Sequence, residues 1–225
     1  MIHDIQTQRD LMPLDKIENK TLRQKVYEEF SESIIAGEMM PGQTFSLREL
    51  AEKMGVSIMP VREALWQMES EKIIIIENNK KMCINTLNKK ELKSLFKVRM
   101  FLEMELAETS FNNKNNILIN QLEKIYTEME ESYPDLSRYL KLNKEFHFTI
   151  YSAANCSIYL DLVKNLWLRE APYFMVQNKI PQSHIQLEPH KRMLQAFIDN
   201  DKNTLTSALK EDMDNAFKYI LPYLE

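Results

Sequence analysis

Ser46-Leu47-Arg48-Glu49-Leu50-Ala51-Glu52-Lys53-Met54-Gly55-Val56-Ser57-Ile58-Met59-Pro60-Val61-Arg62-Glu63-Ala64-Leu65 is the stretch on which the reading of this chain turns. Ser46 and Glu49 have the spacing of a capping box, in which hydroxyl and carboxylate satisfy the free amides of a helix start. Leu47, Leu50, Ala51 and Met54 follow at helical spacing and give that helix an apolar face. Gly55 then stands where a left-handed residue ends a helix at no steric cost. Ser57 is placed to cap a second helix, with Pro60 in its first turn and Val61, Ala64, Leu65 and Met68 on its buried side. Helix, glycine-bearing turn and helix is the plan of a helix-turn-helix, whose second member lies in a DNA major groove. A plain helical hairpin inside a core has the same spacing.

The flanks separate these readings. Upstream, Thr21 to Ala36 carries Leu22, Val26, Phe30 and Ile34 on one stripe, and Gly37 ends it. Pro41-Gly42 is a turn into Thr44-Phe45. Downstream come Ile73-Ile74-Ile75-Ile76, the basic turn Asn78-Asn79-Lys80-Lys81, and Met82-Cys83-Ile84. Three helices and a small hairpin describe a winged helix.

On these residues the chain resembles the N-terminal domain of GntR-family transcriptional regulators. The likeness rests on Ala36-Gly37-Glu38 with Pro41-Gly42, on Leu50 to Ser57, and on Pro60-Val61-Arg62-Glu63-Ala64-Leu65, across roughly residues 20 to 85. Three departures stand out. Ile58 replaces a usual DNA-reaching arginine, Lys72 a usual glycine, and Asn79-Lys80-Lys81 a usual Arg-Gly wing tip.

The DNA-facing residues expected are Arg48, Ser57, Ile58, Met59, Pro60, Arg62, Lys80 and Lys81. Arg48 should face phosphate, and Arg62 should reach phosphate or a guanine edge. Ile58 has no donor and offers only apolar contact, for example to a thymine methyl. Charge does not advertise this function. Residues 1–85 carry 11 Lys and Arg against 14 Asp and Glu, so positive charge is only local.

Length and composition bound the rest. With 225 residues, 44% hydrophobic, the chain suits two small domains or one large one, and its three glycines favour helices. No apolar run nears the roughly 18 residues of a membrane span, and the start lacks a basic signal-peptide region. A cytoplasmic protein with no membrane partner is expected. Cys83 and Cys156 form no zinc or disulfide pattern and read as packing thiols.

The expected fold is mainly α: a flexible arm over 1–15, a winged helix-turn-helix over 16–86, and an antiparallel bundle of six or seven helices over 87–225. Asn88 and Glu91 form a second capping-box pattern at the boundary. Helices are predicted over 89–112, 115–131, 135–153, 157–178, 188–200 and 203–223.

Polar residues on the apolar stripes carry the functional reading. Arg99 and Glu103 are four apart beside Leu92, Leu95, Leu102 and Leu106, either as a structural ion pair or as a fork for a ligand carboxylate. Asn143 and His147 share a face with Leu140 and Ile150. His190 lies beside Met193, Leu194 and Phe197, and Asp212 beside Leu205, Leu209 and Ala216. Two histidines, an amide and a carboxylate from three helices suit a first-row metal, although single buried histidines are usually only core residues.

This half resembles the FCD-type effector domain that follows the winged helix in FadR-like GntR regulators. Val98-Arg99, Leu102-Glu103, Asn143, Phe146-His147, Ala154-Asn155, His190 and Asp201 carry the likeness, in that order. The resemblance implies a divalent metal (Zn, Ni or Mn) on the positions of Asn143, His147, His190 and Asp212. Only the two histidines keep the usual ligand type. It further implies a small carboxylate effector clamped by Arg99 with Glu103, a homodimer, and a palindromic double-stranded DNA operator. The expected function is thus a ligand-responsive regulator, most simply a repressor, and not an enzyme. Two alternatives stand beside it: a metal-dependent enzyme with an appended winged helix, and a metal-free regulator with an acyl-chain effector. Neither paired catalytic carboxylates nor a nucleophile motif supports the enzyme.

Overall fold

A computed structural model describes residues 20–76, 81–174 and 187–221. The elements run α1 Leu22–Ile35, β1 Thr44–Phe45, α2 Leu47–Met54, α3 Ile58–Ser70, β2 Ile74–Ile76, β3 Met82–Ile84, α4 Lys89–Asn112, α5 Asn116–Glu131, α6 Leu136–Ser152, α7 Ser157–Phe174, α8 Glu188–Asp199 and α9 Lys202–Ile220. The expected helices are present with limits shifted by a few residues at most, apart from the ends of the 157–178 and 203–223 segments, which lie outside the described residues.

Side-chain chemistry sets the helix starts. Ser46 accepts from the Glu49 amide while Glu49 reaches back to the Ser46 amide, and Asn88 with Glu91 repeats the arrangement at α4. Thr21 and Gln24 form a third such box at α1. Gly55 ends α2 at φ 64°, in the left-handed region that a side chain would disfavour.

Ser57 corrects one expectation. It stands at the N-cap of α3 with extended backbone, yet its side chain makes no cap hydrogen bond. The amide that an N-cap hydroxyl usually receives belongs to the third helical residue, and here that residue is Pro60, which has none. The Ser57 hydroxyl is left on the exposed tip of the recognition helix.

The wing is also richer than a hairpin. β3 pairs antiparallel with β2 and with β1, in the order β1-β3-β2, with Phe45 opposite Met82 and Ile75 opposite Cys83. Thr44-Phe45, read as the exit of a turn, is therefore a third strand, and the Phe45 ring meets Phe30 edge-on at 5.2 Å. Lys72 adopts φ 61°, so the position where the resemblance expects glycine does require the left-handed region. Lys80 lies outside the described residues.

Val26, Phe30, Ile34, Val61, Leu65, Met68 and Ile84 form the winged-helix core, which also takes in Leu168 and Ala171 of α7. A second core, built on Leu106, Leu122, Phe146, Tyr151, Met193, Phe197 and Leu209, holds α4 to α9 together. Cys83 and Cys156 form no disulfide among the described residues.

The two serines give a paired test. Ser46→Ala should cost about 1 kcal/mol, the worth of an N-cap bond. Ser57→Ala should leave urea-unfolding midpoints unchanged, because no cap bond is lost.

Candidate functional site

The exposed tip of α3 forms one candidate surface. Ile58 and Met59 are exposed at its start, and Trp66 is exposed two turns further along the face of Met59 and Arg62. Arg62 forms no ion pair among the described residues; its Nη1 lies 4.0 Å from the Met59 sulfur. Pro60 is half-buried, holding the first turn. Arg48 is largely exposed on α2, and its Nε sits 3.3 Å from Glu52. A bond this exposed is worth little and is readily exchanged for a phosphate. Lys81 is exposed at the start of β3.

The second site lies inside the bundle. Arg99 of α4 is buried, and a buried guanidinium requires partners. Its Nε donates to Glu103 Oε1 at 2.6 Å and its Nη1 to Glu170 Oε2 at 2.6 Å, while the guanidinium lies 4.4 Å over the Trp167 ring. Burial works against the Arg99 charge, but the two carboxylates outweigh it and raise its pKa further. Burial pushes the Glu170 carboxyl above its ordinary value, against the pull of Arg99 and with a contribution from Glu103.

Glu103 differs from its expected role. It is fully buried and accepts from Arg99, from the Tyr151 hydroxyl at 2.6 Å and from Trp167 Nε1 at 2.9 Å. It holds Arg99 from behind, and it is Glu170 that lines the cavity beside Arg99. The sequence did carry a signal for Glu170: Val163, Trp167, Glu170 and Phe174 recur at helical spacing, which puts a carboxylate on an apolar stripe.

A hydrogen-bonded chain continues to the histidines. Tyr151 has one hydroxyl proton, which goes to Glu103, so its 3.1 Å contact with His147 Nδ1 requires that nitrogen to donate. His147 Nε2 is then proton-free in the neutral ring, and it faces Asp212 Oδ2 at 3.2 Å and His190 Nε2 at 3.2 Å. A lone pair opposite a carboxylate oxygen is unfavourable unless a proton or a cation lies between them. His190 Nε2 is also 2.8 Å from Asn143 Oδ1, and its Nδ1 is 3.6 Å from Asp212 Oδ1.

All four residues expected at the metal position therefore converge. Donor atoms of His147, His190 and Asp212 lie within 4.8 Å of one another. Ligands bonded at about 2.1 Å stand about 3.0–3.4 Å apart around a metal, and His147 Nε2 meets this spacing with Asp212 Oδ2 and with His190 Nε2, both at 3.2 Å. The donor set fits a divalent cation, with Asn143 as a weaker, neutral fourth donor. Burial acts to raise the Asp212 pKa, but the neighbouring His190, His147 and Arg99 together hold it below its ordinary value.

Between Arg99 and this cluster is a cavity of about 80 Å³, with Phe96, Tyr139, Asn143, His147, Glu170 and Asp212 in its walls. That is room for a few waters.

A capped helix-turn-helix with a three-stranded wing, joined to a helical bundle enclosing a polar cavity, defines a class of two-part DNA-binding regulators. Comparison with known sequences gives the particular family. The pattern described as bacterial regulatory proteins of the gntR family matches residues 22–83, and that of the FCD domain matches 94–215. The chain belongs to the GntR family of transcriptional regulators and carries an FCD domain. It is 23% identical over 205 residues to the HTH-type transcriptional regulator McbR of Escherichia coli K12, covering 88% of this chain and 92% of that one. It is 27% identical over 190 residues to a gluconate operon transcriptional repressor of Bacillus licheniformis, covering 81% and 78%. In three dimensions it superposes on E. coli McbR/YncC with a TM-score of 0.85 at 21% identity, covering 91% of this chain and 99% of that one. A putative GntR regulator from Rhodococcus sp. RHA1 gives 0.74 at 17% identity, covering 90% and 99%. Among the described residues no helix is long and apolar enough to cross a membrane.

Removing one member of the buried ion cluster should be costly. Glu103→Ala should destabilise the protein by about 3–5 kcal/mol, because Arg99 loses one of its two buried counter-charges. Glu103→Gln, which keeps the shape and an acceptor, should cost less, as read by chemical denaturation.

Proposed function

We propose that this protein is a ligand-responsive repressor of the FadR-like branch of its family, acting in the cytoplasm as a homodimer on a palindromic operator. Its winged helix would read DNA and its bundle would sense a small carboxylate metabolite. The observation that carries this reading is the convergence of Arg99, Asn143, His147 and Asp212 on one cavity inside the bundle, with His190 against His147 and Asp212.

At the DNA, the exposed start of α3 would enter the major groove. Arg62 supplies donors for a guanine edge, Ile58 and Met59 supply apolar contacts suited to a thymine methyl, and Ser57 supplies a hydroxyl. Arg48, Lys80 and Lys81 would meet phosphates, which fix register without reading sequence. Repressor is the sign suggested by relatives named as operon repressors.

In the bundle, His147, His190 and Asp212, with Asn143 beside them, would hold a divalent ion such as zinc, nickel or manganese. When bound, such an ion supplies a Lewis-acidic anchor for an oxygen-bearing ligand. The chain's own residues do the rest. The Tyr151 hydroxyl keeps the His147 ring oriented with Nε2 inward, Glu103 keeps Tyr151 and Arg99 in place, and Arg99 offers its guanidinium to an acid group. A ligand regulates only through a difference in its affinity for two arrangements of the protein, so effector binding and DNA binding would be linked reciprocally. Sensing, not turnover, is the role of the bundle in this reading.

Elemental analysis by mass spectrometry on protein purified without chelator tests the metal. About one divalent ion per chain is expected, and its loss is expected in the His147→Ala/His190→Ala double variant. Absence of metal after reloading with zinc, nickel and manganese would contradict the site. At the DNA surface, Arg62→Ala should weaken operator binding by about 1–3 kcal/mol and relax preference at one base pair.

A further inference from the structure

The cavity already contains an acid that belongs to the chain. One guanidinium, Arg99, serves two carboxylates, and these are held unequally. Glu103 accepts three hydrogen bonds, from Arg99, Tyr151 and Trp167. Glu170 makes a single one among the described residues, to Arg99 Nη1 at 2.6 Å. A ligand carboxylate arriving at Arg99 would be a third anion on one buried cation, at a separation where like charges repel strongly in a low-dielectric site. One of the resident acids must leave, and Glu170 is both the less anchored and the one in the cavity wall.

The helix that carries Glu170 touches the DNA-binding half over its second half. Asn165 Nδ2 donates to the backbone carbonyl of Glu71, the residue that ends α3, at 3.1 Å. Leu168 and Ala171 are buried in the winged-helix core. Tyr173 accepts from the Leu87 amide and donates to the Leu87 carbonyl at 3.3 Å, in the segment joining the two halves. Within nine residues, α7 thus grips the end of the recognition helix, its core, the effector cavity and the linker.

We infer that Glu170 is an internal stand-in for the effector's acid group: the ligand carboxylate replaces it on Arg99, and the release of Glu170 loosens the hold of α7 on the end of α3 and on Leu87. This rests on the reading of the cavity as an effector site and names the step by which that site regulates. The resident and the ligand acid exclude one another at Arg99, which gives the ligand the differential affinity that regulation needs.

The experiment uses full-length protein, Glu170→Ala, and Glu170→Gln as the variant that keeps side-chain volume. Hydrogen exchange is followed in residues 58–71 and 82–92, with no ligand and no DNA. Acetate, a bare carboxylate, is titrated against Trp167 fluorescence in a Trp66→Phe background. Both Glu170 variants should show faster exchange at the end of α3 and around Leu87. Acetate should bind Glu170→Ala at least ten-fold more tightly than it binds the parent, without restoring slow exchange, because acetate is not tethered to α7. Unaltered exchange in both variants would overturn the coupling, and equal acetate affinity in variant and parent would overturn the displacement. Binding of acetate to neither protein would overturn Arg99 as a carboxylate anchor, and with it the effector reading on which the inference stands.

Discussion

Everything in the bundle's interior depends on how one buried positive charge is satisfied. Arg99 sits on the apolar face of α4, where an unpaired guanidinium would be prohibitively costly. Glu103, one turn further on, answers it along the helix, and Glu170 answers it from α7. The consequences run outward. Because Glu103 takes the Tyr151 proton, the His147 ring must give its Nδ1 proton to Tyr151 and turn Nε2 towards His190 and Asp212. A salt bridge on α4 therefore fixes the tautomer of a histidine on α6, and so the donor set of the proposed metal position.

Packing across the junction prevents the two halves from being treated as independent. The segment after residue 87 supplies Leu168 and Ala171 to the core of the winged helix, and Lys144 of α6 pairs with Glu32 of α1. Leu92 and Leu95 of α4 pack with Leu87, Tyr173 and Ile220 in a small cluster at the junction. An arrangement of this kind ties the geometry of the cavity to the geometry of the DNA-reading helix through packed side chains and a few directed hydrogen bonds, the sort of element whose two positions a ligand can bias.

Much of the fold was legible because the decisive signals are local. Ser46 with Glu49 and Asn88 with Glu91 announce helix starts within four residues, and Gly55 announces a helix end by itself. What was not legible depended on distant or missing partners. The strand at Thr44-Phe45 exists only because β3 offers it a free edge. Ser57 makes no cap bond at a helix start where Pro60 withdraws one of the two amides it could accept from. The convergence of Asn143, His147, His190 and Asp212 could be anticipated from faces of helices and from family likeness. The ranking of the acids around Arg99 could not. Glu103 is one turn from Arg99, the spacing of a helical ion pair, whereas Glu170 is 71 positions away and lines the cavity. Periodicity places a carboxylate on a buried stripe but does not say which cation it meets.

The most direct test of the account as a whole is to let the full-length protein select DNA from a random duplex pool. A two-fold dimer reading through α3 predicts enrichment of an inverted repeat with half-sites about one helical turn apart, each with a guanine for Arg62 and thymines for Ile58 and Met59. Enrichment of no sequence, or of a site without two-fold symmetry, would contradict it.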